Sequence, residues 1–379
     1  MMRPVAVLLA LALALALADA AAAVAAETVA PNGILPFAAD SAGFEQATSA
    51  REFEFPGDHG PHPAFRHEWW YLTGHLAGAS GERFGFELTF FRVALARAPA
   101  TEPAPAASRW RAQQIYIAHF AVTDIARGRF RSAERYARGA LGLAGAEASP
   151  LRVWVGDWSL GAPGGSWQLR AAEPGYELTL AMRPERPPVA NGDRGLSQKS
   201  ATPADASYYY SIPRLAVSGQ LLRDGESVSV NGHAWLDREW GSGGLGADEA
   251  GWDWFAFQFA DGSELMFYSL RRRDGNQDVH SAGTWVAPDG RVRALASADV
   301  QIKVQSFWTS PRGGQYPASW KVSVPALSLS VDVRPALADQ ELDVRPRYWE
   351  GAVDIAGTRD TRAISGEGYV ELVGYAHPP

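Results

Sequence analysis

The chain has 379 residues, a formal net charge of −7 and no cysteine. The lack of cysteine excludes disulfides, thiol nucleophiles and thiolate metal sites. Basic residues are scattered rather than gathered into a patch, which argues against nucleic acid as a partner.

The first residues read as an export signal. Arg3 supplies a positive start, Val5 to Ala18 is built only of Leu, Ala and Val, and Asp19 ends the run. The run is short for a membrane span, which needs roughly 20 apolar residues. Ala23-Val24-Ala25 and Val24-Ala25-Ala26 offer the small residues of a cleavage site. Residues 1–26 are therefore expected to be a signal peptide, with the mature chain starting near Glu27 and working in the periplasm or outside the cell. The remainder exceeds the roughly 250–300 residues at which one core stops growing. Two domains are expected, at 27–225 and 226–379.

Fourteen Trp and 38 Gly favour a β-rich fold with tight turns and aromatic surfaces. From Phe65 onward the chain reads as strand after strand. Phe84, Phe86, Leu88 and Phe90 alternate with Gly85, Glu87 and Thr89, the period of a half-buried strand. Strands are also expected at 115–123, 151–160 and 176–182. Ala98 to Ser108 and Gly161 to Ser166 read as turns, and Pro184 to Thr202 as a long loop. In the second half, strands are expected at 227–237, 252–260, 263–271, 281–287, 299–308, 317–323, 327–333 and 366–375. No long amphipathic helix stands out, and short strands at this spacing predict an all-β fold of barrels or sandwiches. Glu68-Trp69 is followed 19 residues later by Glu87 to Phe90, and Glu239-Trp240 is followed 25 residues later by Glu264 to Phe267. This echo suggests two related barrels in tandem.

The densest chemical segment is His233 to Gly241. As a strand it places His233, Trp235, Asp237 and Glu239 on one face, with Ala234, Leu236, Arg238 and Trp240 on the other. An imidazole, an indole and two carboxylates together suggest a cavity wall; a polar outer face with an ion-pair network around Arg238 is the plainer alternative. In Gly251 to Phe259, Trp252 and Trp254 share one face. Asp253 joins Phe255, Phe257 and Phe259 on the other, either as a carboxyl held protonated or as a rim residue meeting an Arg. His119 lies in an apolar strand, as a hydrogen-bonded core residue or a site residue. Glu367, Tyr369 and Glu371 share a face near the C-terminus. His59, His62 and His67, in or beside a Pro/Gly loop, read as solvent-exposed rather than metal-ligating. No G-x-S-x-G elbow, phosphate loop or dinucleotide fingerprint occurs.

His67-Glu68-Trp69-Trp70-Tyr71-Leu72-Thr73-Gly74-His75-Leu76 resembles the opening motif of the AttH/CrtC family, which holds carotenoid 1,2-hydratases and exported proteins labelled as hydrolases. Trp235 to Gly241, Trp252 to Phe255, Tyr348 to Gly351 and Gly366 to Leu372 also resemble family motifs, in order from about 60 to 375. The resemblance implies two tandem lipocalin-like β-barrel domains and an apolar, isoprenoid-type or lipid ligand. It also implies ABC-type export components as partners of the exported subgroup. The hydratases' proposed His and Trp would fall on His233 and Trp235. Adding water to an isolated alkene needs a protonated acid, for which Asp237, Glu239 or Asp253 serves if buried, and a base, for which His233 serves. Neither metal nor organic cofactor is required. Glu68, Trp69, Trp70, His119, Trp252, Trp254 and Tyr369 are expected to contact the ligand. The alternatives are a non-catalytic carrier or accessory protein of an envelope transporter and, third, a hydrolase. Monomer and dimer stay open.

Overall fold

The computed structural model describes residues 41–96, 112–246 and 248–376. The signal peptide expected at 1–26 and the turn expected at 98–108 lie outside these residues.

The first sheet contains β1 (His67–Gly78), β2 (Arg83–Ala94), β3 (Gln114–Asp124), β4 (Arg129–Arg138), β5 (Ala144–Ala148), β6 (Leu151–Val155), β7 (Trp158–Gly161), β8 (Trp167–Glu173), β9 (Tyr176–Pro184), β10 (Val189–Ala190), β11 (Leu196–Gln198), β12 (Ala206–Arg223) and β13 (Glu226–Gly241). The second contains β14 (Glu249–Phe259), β15 (Glu264–Arg272), β16 (Ala282–Val286), β17 (Val292–Ala296), β18 (Gln301–Thr309), β19 (Gln315–Val324), β20 (Leu329–Pro335), β21 (Glu341–Leu342), β22 (Tyr348–Arg359) and β23 (Arg362–Val373). The described residues hold no α-helix. The first sheet runs β4-β3-β2-β1-β13-β12-β9-β8-β7-β6-β5 and curls into a nearly closed barrel. The second runs β17-β16-β15-β14-β23-β22-β20-β19-β18 as a half-barrel. The fold is all-β with two barrel-like sheets, as expected.

The period of two explains the interiors. Phe84, Phe86, Leu88 and Phe90 of β2 all point inward, joined by Trp70, Leu72, Ala234, Leu236 and Trp240. Phe255, Phe257 and Phe259 do the same in the second sheet, against Trp320 and Trp349. Burying each such side chain stabilises the fold by roughly 1.5–3 kcal/mol. The opposite face of an antiparallel sheet commonly meets water, but here it does not. The last eight residues of β13 are all buried. The outer faces of β1, β12 and β13 pack on the outer faces of β14, β15, β22 and β23 through a cluster containing Tyr71, Tyr209, Trp235, Trp254, Met266 and Tyr369.

Gly85 shows how close the two sheets come. A Cβ there would lie 2.5 Å from Tyr369 Oη and 2.8 Å from Ala352 Cβ, both in the second sheet. Gly85→Ala is expected to destabilise the protein by about 1–3 kcal/mol through overpacking. Gly57→Ala, which meets nothing within 4 Å, is expected to be near neutral. Urea unfolding of the two variants checks this.

Several expectations need correction. The sheets divide after Gly241, not at 225/226. β13 pairs with β1 from His67↔Gly241 to Gly78↔Val230 and with β12 on its other side, so it is central to the first sheet. The tandem echo also dissolves. Glu68 lies opposite Trp240 and Trp69 opposite Glu239, so the two Glu-Trp pairs are neighbours in one sheet rather than equivalent places in two barrels. The strand expected at 151–160 is split by a turn at Gly156, whose φ is +63°. The loop at 184–202 carries β10 and β11, which pair with β12.

Candidate functional site

The sheet-on-sheet packing leaves a cavity of about 290 Å³ between the two outer faces, at the lower end of the roughly 300–1,000 Å³ usual for small-molecule sites. It lies between the barrels, whereas lipocalins hold ligands inside one. Alternation selects its walls. β1 contributes His67, Trp69 and Tyr71, and β13 contributes Asp237 and Glu239. Facing them are Trp252 and Trp254 of β14, Tyr268 of β15, Tyr348 of β22 and Glu371 of β23.

The walls are largely aromatic, and the polar groups among them include the carboxyls of Asp237, Glu239, Glu249 and Glu371 together with His67, His119, Lys199 and Arg273. Asp237 is 3% exposed. Trp235 Nε1 and Ser211 Oγ each donate to its Oδ1 at 2.6 Å, and Tyr209 Oη donates to Oδ2 at 2.5 Å. Burial pushes its carboxyl up to about 7, against the pull of those three donors and with help from the Glu239 charge. Glu371 is also pushed up to about 7 by burial, opposed by the Trp252 indole and reinforced by Asp237 and Glu239. Trp252 Nε1 holds its Oε1 at 2.7 Å. Glu350 lies directly across from Glu371 in the β22–β23 register and is 1% exposed. Like charges placed opposite each other repel. Burial and then the Glu371 charge hold Glu350 well above the ordinary carboxylate range. Its Oε1 accepts a hydrogen bond from Tyr71 Oη. Glu87 of β2, fully buried, is likewise raised, chiefly by burial. Glu239 accepts a hydrogen bond from Ser207 Oγ and pairs with Lys199 Nζ at 3.2 Å. Lys199 sits 4.1 Å from the Tyr268 ring centroid.

The expected site residues separate into two groups. Trp69, His119, Asp237, Glu239, Trp252 and Trp254 line the cavity. Trp235 is buried beside it as a donor to Asp237, and Tyr369 packs in the same inter-sheet cluster. The others lie elsewhere. Glu68 and Trp70 alternate to the inner face, where Glu68 is clamped by Arg92 and Arg238 and Trp70 Nε1 donates to His59 O at 2.9 Å. Asp253 pairs with Arg271 at 2.7 Å and accepts from Tyr375 Oη, the rim alternative. The side chain of His233 is 47% exposed and lies 3.6 Å from Glu185, away from the cavity. The loop histidines are packed rather than solvated: His62 stacks on Trp240 with centroids 3.7 Å apart, and His67 is 4% exposed. Tyr71, Lys199, Tyr209, Tyr348 and Glu350 were not singled out for this site from sequence. Among the described residues no cluster of three or more His, Asp or Glu is arranged to hold a metal.

These raised carboxyls carry a stability prediction. A carboxyl whose folded pKa lies above its unfolded value binds more protons in the native state, so stability falls as pH rises from about 4.5 through about 7. His59 and His67, held neutral down to about 4 and about 3, mainly by burial, act oppositely. The clean readout is therefore a difference. Glu371→Gln is expected to gain stability relative to wild type as pH is raised from 5 to 7.5, by no more than ~1.4 kcal/mol per pH unit. Urea unfolding across that range tests it.

Two packed barrel-like sheets with an aromatic, carboxyl-bearing cavity between them define a lipocalin-like β protein. Residues 46–375 match the model of the AttH-like family, and the chain belongs to that family. An AttH from Nitrosomonas europaea has a similar structure, at 35% identity and a TM-score of 0.77, covering 88% of this chain and all of that one. Kievitone hydratase from Nectria haematococca (TM-score 0.65, 15% identity, 88% of this chain and 98% of that one) shares the fold. Among sequences, the chain is 22% identical over 220 residues to the dehydratase asqC of Emericella nidulans, covering 54% of this chain and 60% of the relative. It is 34% identical over 82 residues to the acyclic carotenoid 1,2-hydratase of Cereibacter sphaeroides, covering 22% of this chain and 28% of the relative. These sequence likenesses thus span less than two thirds of either relative, and both relatives are enzymes that add or remove water.

Proposed function

We propose that the protein is a cofactor-independent hydro-lyase that adds water to, or removes it from, an isolated C=C of an apolar, isoprenoid-type substrate held between the barrels. The observation that carries this reading is Glu371, a carboxyl poised near neutrality in an aromatic cavity beside a second buried carboxyl. Asp237 is saturated by three donors. Glu371 Oε2 accepts no hydrogen bond among the described residues and is the better-placed acid.

In the hydration direction, the proton of Glu371 moves to one alkene carbon and the π electrons form the new C–H bond. The other carbon becomes cationic. The Trp254 indole, which lines the cavity, can stabilise it, a contact worth ~0.5–2 kcal/mol. Water then bonds to that carbon through a lone pair and loses a proton to a base, leaving C–H and C–OH. The relatives' names support the reaction class, and the apolar walls support the substrate class. Incubation with acyclic isoprenoids bearing a trisubstituted terminal alkene in ¹⁸O-water tests it. The expected product is a tertiary alcohol carrying ¹⁸O. Bound alkene recovered unchanged after long incubation overturns the reading and points instead to a carrier.

A further inference from the structure

The hydro-lyase reading leaves the base that accepts the water proton unassigned, since His233 lies outside the cavity. One chain of side chains runs from the surface into the cavity and has no part in the acid step. Glu134 on β4 and His119 on β3 are cross-strand partners, and His119 Nε2 lies 3.2 Å from Glu134 Oε1. On its other side, His119 Nδ1 lies 2.9 Å from Tyr348 Oη. His119 is fully buried and, with Tyr348, lines the cavity. The side chain of Glu134 is 15% exposed, so the chain opens to solvent at that end.

Its direction follows from the hydrogen bonds. Glu134 also accepts the Arg345 backbone N–H at 3.0 Å. Burial works against its charge, but hydrogen bonds from His119, Tyr136 and Arg345 outweigh it and hold the carboxyl below its ordinary range. An ionised carboxylate only accepts. In the neutral imidazole, Nε2 must then carry the hydrogen, which leaves Nδ1 as an acceptor for the Tyr348 hydroxyl. This is the order of a carboxylate–imidazole–hydroxyl relay, with the hydroxyl at the cavity. The charged or titratable groups facing Tyr348 are Glu87 from β2, Glu134 from β4, Glu350 from β22 and Glu371 from β23; the Phe91 ring meets His119 edge-on at 5.2 Å.

Building on the hydro-lyase reading, we infer that Tyr348 is the base for the attacking water, with His119 and Glu134 as the positioning residues that carry its proton to solvent. As the water oxygen bonds to the cationic carbon, its O–H bond breaks and that proton moves to Tyr348 Oη. The proton of Tyr348 passes to His119 Nδ1, and the Nε2 proton is shared with Glu134 and exchanged with solvent. The dehydration direction runs the same steps backward.

The test uses the full chain and the ¹⁸O-water assay with an acyclic isoprenoid alkene. Tyr348→Phe is expected to lower turnover by at least 10²-fold, the usual contribution of a general base, with the Kd for the alkene unchanged. Glu134→Gln, at the surface, is expected to lower turnover by at least tenfold and to shift the pH–rate profile, and Glu134→Asp to restore part of the rate. Nitrogen NMR of His119 is expected to show the Nε2–H tautomer, a readout that needs no substrate. Wild-type turnover combined with an unchanged rate and pH profile in Tyr348→Phe overturns the base assignment alone. If Tyr348→Phe does not fold, an unchanged rate and profile in Glu134→Gln overturns the relay. An Nδ1–H tautomer overturns the relay too, whatever the activity. No ¹⁸O uptake by the wild type overturns the hydro-lyase reading, and the base assignment with it.

Discussion

Glu68→Ala is expected to cost about 3–5 kcal/mol of stability, the range for breaking a buried ion pair by removing one partner. Glu68, Arg92 and Arg238 are all fully buried. Arg92 Nε donates to Glu68 Oε1, and Arg238 donates to Oε2. Burial opposes the charge of Glu68, but the two guanidinium groups outweigh it and hold the carboxyl well below its ordinary range. Neither Arg can neutralise itself by losing a proton, so removing Glu68 strands two cations in the barrel end. The network also ties down the segment before β1. The His62 backbone N–H donates to Glu68 at 3.1 Å, and Arg92 donates to the carbonyls of His62 and Phe65 at 2.9 and 2.8 Å. Arg238 packs 3.8 Å from the Trp70 ring centroid. Urea unfolding should therefore show the loss, and amide exchange should rise over residues 58–65. Glu68→Gln, which keeps an acceptor, should lose less. A loss below about 1 kcal/mol for Glu68→Ala would sink the account of Glu68 as the anchor of the barrel end.

Alternation along single strands was legible in the sequence. It correctly put Trp235, Asp237 and Glu239 on one face of β13 and Phe255, Phe257 and Phe259 on the inner face of β14. The same rule shows why the consecutive residues Glu68, Trp69 and Trp70 cannot all contact a ligand in this cavity. Neighbours in a strand point to opposite sides, so Trp69 and Tyr71 reach the cavity while Glu68 and Trp70 cannot. What one strand cannot reveal is its partner or its register. His233 has the right parity, but its place opposite His75 carries it beyond the cavity. Strand β12 was hidden because Pro213 interrupts its pattern, and the structure absorbs the interruption as an irregularity between Ile212 and Leu215. Glu350 and Glu371 face each other because β22 and β23 form a hairpin closed by the two-residue turn Asp360-Thr361, and only its second strand was expected from the sequence. Glu87 did leave a trace: it is the charge on the non-aromatic side of the alternation in β2. Reading it as a site group required knowing that this side is covered by a second sheet.

Glu371→Gln is expected to lower turnover by about 10²–10⁴-fold, the usual share of a general acid, with little change in Kd for the alkene. Gln keeps the size and the oxygen that accepts from Trp252 but has no acidic proton. The pH dependence has a definite sign. Protonation of carbon requires the acid form, so turnover should be flat below about pH 7 and fall about tenfold per pH unit above it, following the carboxyl at about 7. Asp237 reaches about 7 as well, so the alkaline limb reports the coupled pair rather than one residue. A second substitution separates them. The Asp237 charge is among the influences that raise Glu371, so Asp237→Asn should move the alkaline limb to lower pH while leaving acid catalysis in place at low pH. Glu350 is raised above the ordinary carboxylate range by burial and by the Glu371 charge and is not among the charges that raise Glu371. Glu350→Gln should therefore leave the limb nearly where it was. If Glu371→Gln keeps wild-type turnover while Asp237→Asn abolishes it at every pH, the proton donor is Asp237, and the three donors around it must rearrange during the reaction.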